Sequence, residues 1–115
     1  MTVIKPPPGL RSGGLRVWRA ITSGYELADQ ELVLLTEAAR TVDLLESLEA
    51  EIQAAGAIVE SPQGRKANPA VVEARQQRLT LARLLAALRI PLDEGQERDR
   101  TQRRPVRGVY GVKGA

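Results

Sequence analysis

Apolar residues in this chain recur at helical spacing over two long stretches, and Gly and Pro mark the breaks around them. The longer stretch opens at Asp29, which suits an N-cap, and runs through QELVLLTEAARTVDLLESLEAEIQAA without Gly or Pro until Gly56 supplies a stop. At about 1.5 Å per residue it predicts a helix on the order of 40 Å long, more than one small core can cover. Ala38, Thr41/Val42, Leu45, Leu48, Ile52 and Ala55 follow 3–4 spacing, which predicts a narrow seam against a nearly parallel or antiparallel neighbour. Leu32, Val33, Leu34 and Leu35 face every direction, as at a helix end buried by more than one partner.

The second stretch begins at Asn68-Pro69, an N-cap residue followed by Pro at the first helical position, where the missing N–H costs nothing. It predicts a helix through AVVEARQQRLTLARLLAALRI up to Pro91, on the order of 30 Å long. Val72, Leu79, Ala82 and Ala86 form one stripe, which Leu81, Leu84, Leu85 and Leu88 widen until the last turns are nearly all apolar. Between the two helices, Ile58 and Val59 favour extended backbone and Ser61-Pro62-Gln63-Gly64 fits a type I turn, so a short β-hairpin or ordered loop is expected. Helices joined in this way fold back as an antiparallel pair. Apolar surface then remains, and the expected cover is other copies of the same chain, through Leu32, Leu34, Leu35, Leu45, Leu48, Ile52, Leu81, Leu84, Leu85 and Leu88.

Upstream, Lys5-Pro6-Pro7-Pro8-Gly9 predicts an extended arm over residues 1–10. Ser12 is positioned to cap a short helix that carries Leu15, Trp18 and Ile21/Thr22 on one face, with Arg16 and Arg19 beside them, and ends at Gly24. Trp18 reads as a packing anchor rather than a platform for bases. The short helix and the start of the long one, joined across Ser23-Gly24-Tyr25, would make a helix-turn-helix-like unit, a pattern too common to name a base-reading residue. After Pro91, LDEGQERDRTQRRPVRGVYGVKGA predicts a flexible basic tail. The expected fold is therefore mainly α: a short N-terminal helix and a long antiparallel helical hairpin over residues 11–90, oligomerising through the helices, between an arm and a tail over residues 91–115.

Composition narrows the chemistry. The 115 residues contain no His and no Cys, which excludes Cys/His zinc sites, Cys–His dyads and Ser–His–Asp triads. No cofactor or metal is expected. Carboxylate pairs such as Asp93/Glu94 or Glu49/Glu51 would serve an enzyme only with a metal, and on a tail or an exposed helix face they read as solvated. No apolar run approaches the roughly 20 residues of a membrane span, and the N-terminus lacks a signal-peptide stretch, so the cytosol is the expected compartment.

The net charge of +3 hides an uneven layout. Residues 1–19 carry Lys5, Arg11, Arg16 and Arg19 with no acid, and residues 100–115 carry Arg100, Arg103, Arg104, Arg107 and Lys113 with no acid. The segment between them holds 8 basic and 14 acidic residues. Candidate phosphate contacts are Lys5, Arg11, Arg16 and Arg19, then Arg103, Arg104 and Arg107, with Arg65 and Lys66 past the hairpin tip.

The helix ADQELVLLTEAARTVDLLESLEAEI, the loop Gly56-Ala57-Ile58-Val59, the run Gly64-Arg65-Lys66-Ala67-Asn68-Pro69-Ala70 and the helix VVEARQQRLTLARLLAALRIP together resemble small terminase subunits of tailed double-stranded DNA phages and prophages. The resemblance covers roughly residues 25–92, and its most characteristic piece is Asn68-Pro69-Ala70 leading into the Arg/Gln/Leu-rich helix. It implies a non-catalytic DNA-packaging factor in the cytoplasm of a bacterial host. Such a factor forms a homo-oligomeric ring, recognises double-stranded viral DNA and delivers it to the large terminase subunit, whose ATPase and nuclease it regulates. Many relatives follow the second helix with Thr-Pro and a Ser/Arg-rich stretch, where this chain has Ile90-Pro91-Leu92-Asp93-Glu94. The competing reading is a helical oligomerisation or adaptor module without DNA binding, from which salt-dependent nucleic-acid binding would distinguish it.

Overall fold

A computed structural model describes residues 4–89. The described chain is mainly helical, with α1 at Ser12–Gly24, α2 at Asp29–Ala55, β1 at Ile58–Ser61, β2 at Gly64–Ala67 and α3 at Pro69–Leu88. The two long helices and the hairpin between them stand where the apolar spacing and the Gly and Pro breaks predict them.

Local chemistry sets the boundaries. Ala28, not Asp29, is the N-cap residue of α2; Asp29 is the first helical residue, and the Glu31 carboxylate reaches back to accept from the Ala28 N–H at 2.8 Å. Leu27 before that cap and Leu32 in the next turn pack against the same core, which fixes the angle at which the chain enters the helix. At the far end Gly56 takes φ +87°, a conformation that L side chains rarely adopt, and its N–H donates to Ile52 O. β1 and β2 pair antiparallel from Ile58↔Ala67 to Ser61↔Gly64, closing on Pro62-Gln63.

Asn68 ties the hairpin to α3. Its Oδ1 accepts from Ala70 N at 2.9 Å, its Nδ2 donates to Gly56 O at 2.8 Å and its own N–H donates to Ala57 O at 2.8 Å. The side chain is thus an N-cap and a strut at once, buried with both its oxygen and its nitrogen hydrogen-bonded. At its other end α3 stops at Leu88, short of Pro91, because Arg89 turns to φ +59° and its N–H caps Leu85 O and Ala86 O. Pro91 has no N–H to extend the ladder.

The core lies at the end of the helical pair remote from the hairpin. Trp18, Ile21, Leu35 and Leu88 form its centre, with Ile4, Leu10, Val17, Tyr25, Leu27, Leu32, Leu34 and Leu85 packed around them. Leu35 and Leu88, both at 0% exposure, come from the start of α2 and the end of α3, so the core itself requires the two helices to run antiparallel. Ala38, Ala39, Ala70 and Ala74 are buried along the helices and let the backbones approach closely.

One expectation changes here. Leu35 and Leu88 were expected at a subunit interface but are wholly buried within one chain, because α1 and the arm supply the cover that the helical pair lacks. Over the described residues the arm lies against the rest of the fold. Ile4 and Leu10 pack on the core, and the Trp18 indole N–H donates to Ile4 O at 3.2 Å.

Candidate nucleic-acid interface

α1 carries Arg16 and Arg19, and its attachment to α2 decides which way they point. Ser12 does not cap it. Arg11 occupies the N-cap position with no side-chain cap bond, and the N–H groups of Arg11 and Gly14 are met by a carboxylate from α2. Asp43 Oδ2 accepts from Arg11 N at 2.7 Å and Asp43 Oδ1 from Gly14 N at 2.8 Å. A carboxylate at a helix N-terminus satisfies orphan donors and meets the positive end of the helix dipole. Asp43 is buried, so the arrangement is shielded from water.

The close approach needs Gly13 and Gly14. A Cβ on Gly14 would lie 2.7 Å from Ala39 O and 2.6 Å from Asp43 Oδ2, and one on Gly13 would lie 2.5 Å from the Glu46 carboxylate oxygens. The Gly pair therefore marks a helix–helix contact. Arg11 completes the clamp, since its guanidinium donates to Asp43 O at 3.1 Å and to Ser47 Oγ at 2.5 Å.

With Gly13, Gly14, Trp18 and Ile21 turned inward, Arg16 and Arg19 stand on the outward face of α1, both exposed. The ion pairs among the described residues are Arg40–Glu37, Arg65–Glu60 and Arg78–Glu49, and none involves Arg16, Arg19 or Lys5. Lys5 is exposed beside Ile4, whose carbonyl is held by Trp18, so the arm brings this cation back to the flank of α1. Arg11 differs from the other three, because its guanidinium is spent on α2.

Arg65 and Lys66 lie on β2, at the opposite end of the helical pair from the core. Both are exposed, and Arg65 Nε stands 3.9 Å from Glu60 Oε2 across the hairpin. The structure thus separates this pair from α1 rather than joining the two basic groups in one patch. Arg103, Arg104 and Arg107 lie outside the described residues, as do Asp93 and Glu94 and the whole of the expected tail. Of the other carboxylate pair considered, Glu49 is bonded to Arg78.

The remaining residues expected at an interface are partly covered within the chain. Leu32, Leu34 and Leu85 are half-buried against the core, and Leu45, Leu48, Ile52, Leu81 and Leu84 are half-buried along the helices. The large apolar side chains that are exposed on the helices are Val33, Leu44, Val72 and Leu79. Leu44 and Leu84 line a groove of about 380 Å³ between α2 and α3, beside the bonded pair Glu37 and Arg40. Among the described residues no group of three or more His, Cys, Asp or Glu is placed to hold a metal ion, and no helix is long and apolar enough to cross a membrane.

Asp43 and the Gly pair are the residues that spacing alone did not single out. The signal was present in two places: two glycines in the first turn of a helix, and an acid beside Val42 within an apolar seam. Comparison with known proteins finds no matching family model, no matching curated protein and no matching solved structure.

Proposed function

We propose that this chain is a non-catalytic DNA-binding protein that works as a homo-oligomer, in the manner of the small terminase subunits its sequence resembles. Its task would be to hold double-stranded viral DNA as a ring of subunits and to present that DNA to the large terminase subunit in a bacterial host's cytoplasm. The observation that carries the DNA-binding part is the outward face of α1, where Arg16 and Arg19 are exposed and take no part in the ion pairs, on a helix locked by Asp43 and the Gly pair. Cations on a fixed helix that pair with no acid among the described residues are free to exchange water and counterions for phosphate.

Each subunit supplies only a few such contacts. An oligomer multiplies them, because once one subunit is bound its neighbours meet the same DNA at high effective concentration. The sequence of the DNA is not read by any side chain named here; phosphate contacts position a duplex, and readout requires base edges or shape.

Titration of a labelled duplex DNA with the full chain at a series of salt concentrations tests this reading. Binding that weakens steeply and log-linearly with salt supports it. Absence of binding at low salt overturns it and favours the adaptor alternative.

A further inference from the structure

We infer that this chain bridges two segments of duplex DNA, one held by α1 and the other by the outward face of α3; the inference rests on the DNA-binding reading above. Its basis is a division of charge between the two long helices. α2 carries seven acidic residues and one cation, Arg40, whereas residues 64–89, which hold β2 and α3, carry six Lys and Arg residues and one acid, Glu73. The acidic character of the middle of the chain therefore belongs mostly to α2, and β2 with α3 is a second basic segment.

The cations of α3 divide by what they touch. Arg78 is bonded to Glu49 of α2. Arg75 and Arg83 are exposed and take part in none of the ion pairs among the described residues. With Leu79, Ala82 and Ala86 they stand on the face turned away from α2, on the other side of the helix from buried Ala74 and Leu88. Glu73 does not share this face: it precedes Arg75 by two positions, about 160° round the helix, and its carboxylate accepts from Gln77 Nε2 at 2.7 Å. A single exposed Arg is usually only solvated, but here two share an acid-free face about 12 Å apart along the helix. That is about the width of a major groove, so the pair can reach the phosphate backbones on its two sides.

The two basic faces look in different directions. Thr41 lines the groove with Gln77, Thr80 and Leu84 of α3, while Asp43, in the same turn of α2, holds the N-terminus of α1. Two positions along a helix lie about 160° apart round its axis, so α1 and α3 flank α2 on nearly opposite sides. Gly13, Gly14 and Trp18 turn inward on α1 and leave Arg16 and Arg19 facing away from α2, as Arg75 and Arg83 do on α3. A straight duplex lying on α1 is thus separated from the α3 face by the acidic helix between them. The phosphate that the α3 face attracts belongs to a second segment.

Co-capture tests the bridge. A biotinylated duplex on beads is incubated with the full chain at low salt, and a fluorescent duplex of the same sequence is added in excess. The wild type is expected to retain the fluorescent duplex. Arg75→Ala/Arg83→Ala, with helix content verified by circular dichroism, is expected to remain on the beads but to lose the fluorescent duplex to the level seen without protein. Both side chains are exposed, so the change leaves the core intact. Arg75→Lys/Arg83→Lys is expected to retain the second duplex, because a phosphate contact needs only a cation there. A wild type that binds the immobilised duplex and retains no second one overturns the bridge, as does an Ala variant that retains it as well as the wild type; in both cases the DNA-binding reading stands. Fluorescent polyglutamate retained in place of the second duplex assigns the α3 face to an acidic protein and likewise overturns the bridge. No binding to the immobilised duplex at low salt overturns both.

Discussion

Asp43 accepts a hydrogen bond at 2.8 Å from the N–H of Gly14, 29 residues earlier in the chain, so the N-terminus of α1 is capped by the middle of α2. A local cap would stabilise α1 without saying where it goes. A cap from another helix fixes its start against α2 and thereby its outward face.

Asp43→Asn retains one acceptor oxygen but turns an amide N–H₂ toward a backbone donor. With Asp43 buried and accepting from both Arg11 and Gly14, the substitution is expected to cost about 1–3 kcal/mol of stability. Urea unfolding followed through Trp18 fluorescence measures it, and a loss of under about 0.3 kcal/mol would mean that the carboxylate does not hold α1 in place.

Gly13→Ala and Gly14→Ala separate two kinds of close contact. The new methyl at position 13 meets only the end of the exposed Glu46 side chain, which can swing away, so the change is expected to stay within about 0.5 kcal/mol. At position 14 it meets the Ala39 backbone carbonyl at 2.7 Å and buried Asp43, and α1 must shift, at an expected cost of about 1–3 kcal/mol. Equal effects at the two sites in the same urea experiment would contradict this packing.

Asn68→Ala removes the N-cap of α3 and the strut to Gly56 together. The expected loss is about 1–2 kcal/mol, with faster hydrogen exchange at the Ala70 amide than at amides of the core end. Unchanged exchange at Ala70 would show that the cap does not hold the first turn.

The helical pair was legible because both of its signals are local. A run of 27 residues from Asp29 to Ala55 contains no breaker, and Asn68-Pro69 states a helix start in two residues. The partition of apolar residues was not legible. Leu35 and Leu88 look the same in sequence as Leu44 and Leu79, and only the placement of α1 and the arm over one end of the pair tells which are covered. The same holds for the cations: Arg11 and Arg16 are equivalent in a charge count, but the fold binds Arg11 to Asp43 and Ser47 and leaves Arg16 exposed. Long-range contacts made by small or polar residues leave no period to read.

That difference between arginines is testable. Arg16→Ala/Arg19→Ala is expected to weaken duplex DNA binding and to reduce the salt slope by about 0.9 per lost phosphate contact in each subunit, with stability unchanged. Arg11→Ala is expected to lower stability, with the salt slope retained where the protein remains folded. The same slope for the wild type and the Arg16/Arg19 variant, in anisotropy titrations at several salt concentrations, would remove α1 from the interface.

The most direct measurement is the mass of the complex that the full chain forms on a short duplex DNA, determined by native mass spectrometry at low salt. A discrete assembly of many 12.5 kDa chains on one duplex is the expected result. Free DNA beside free protein, or one chain per duplex, would contradict a DNA-binding homo-oligomer.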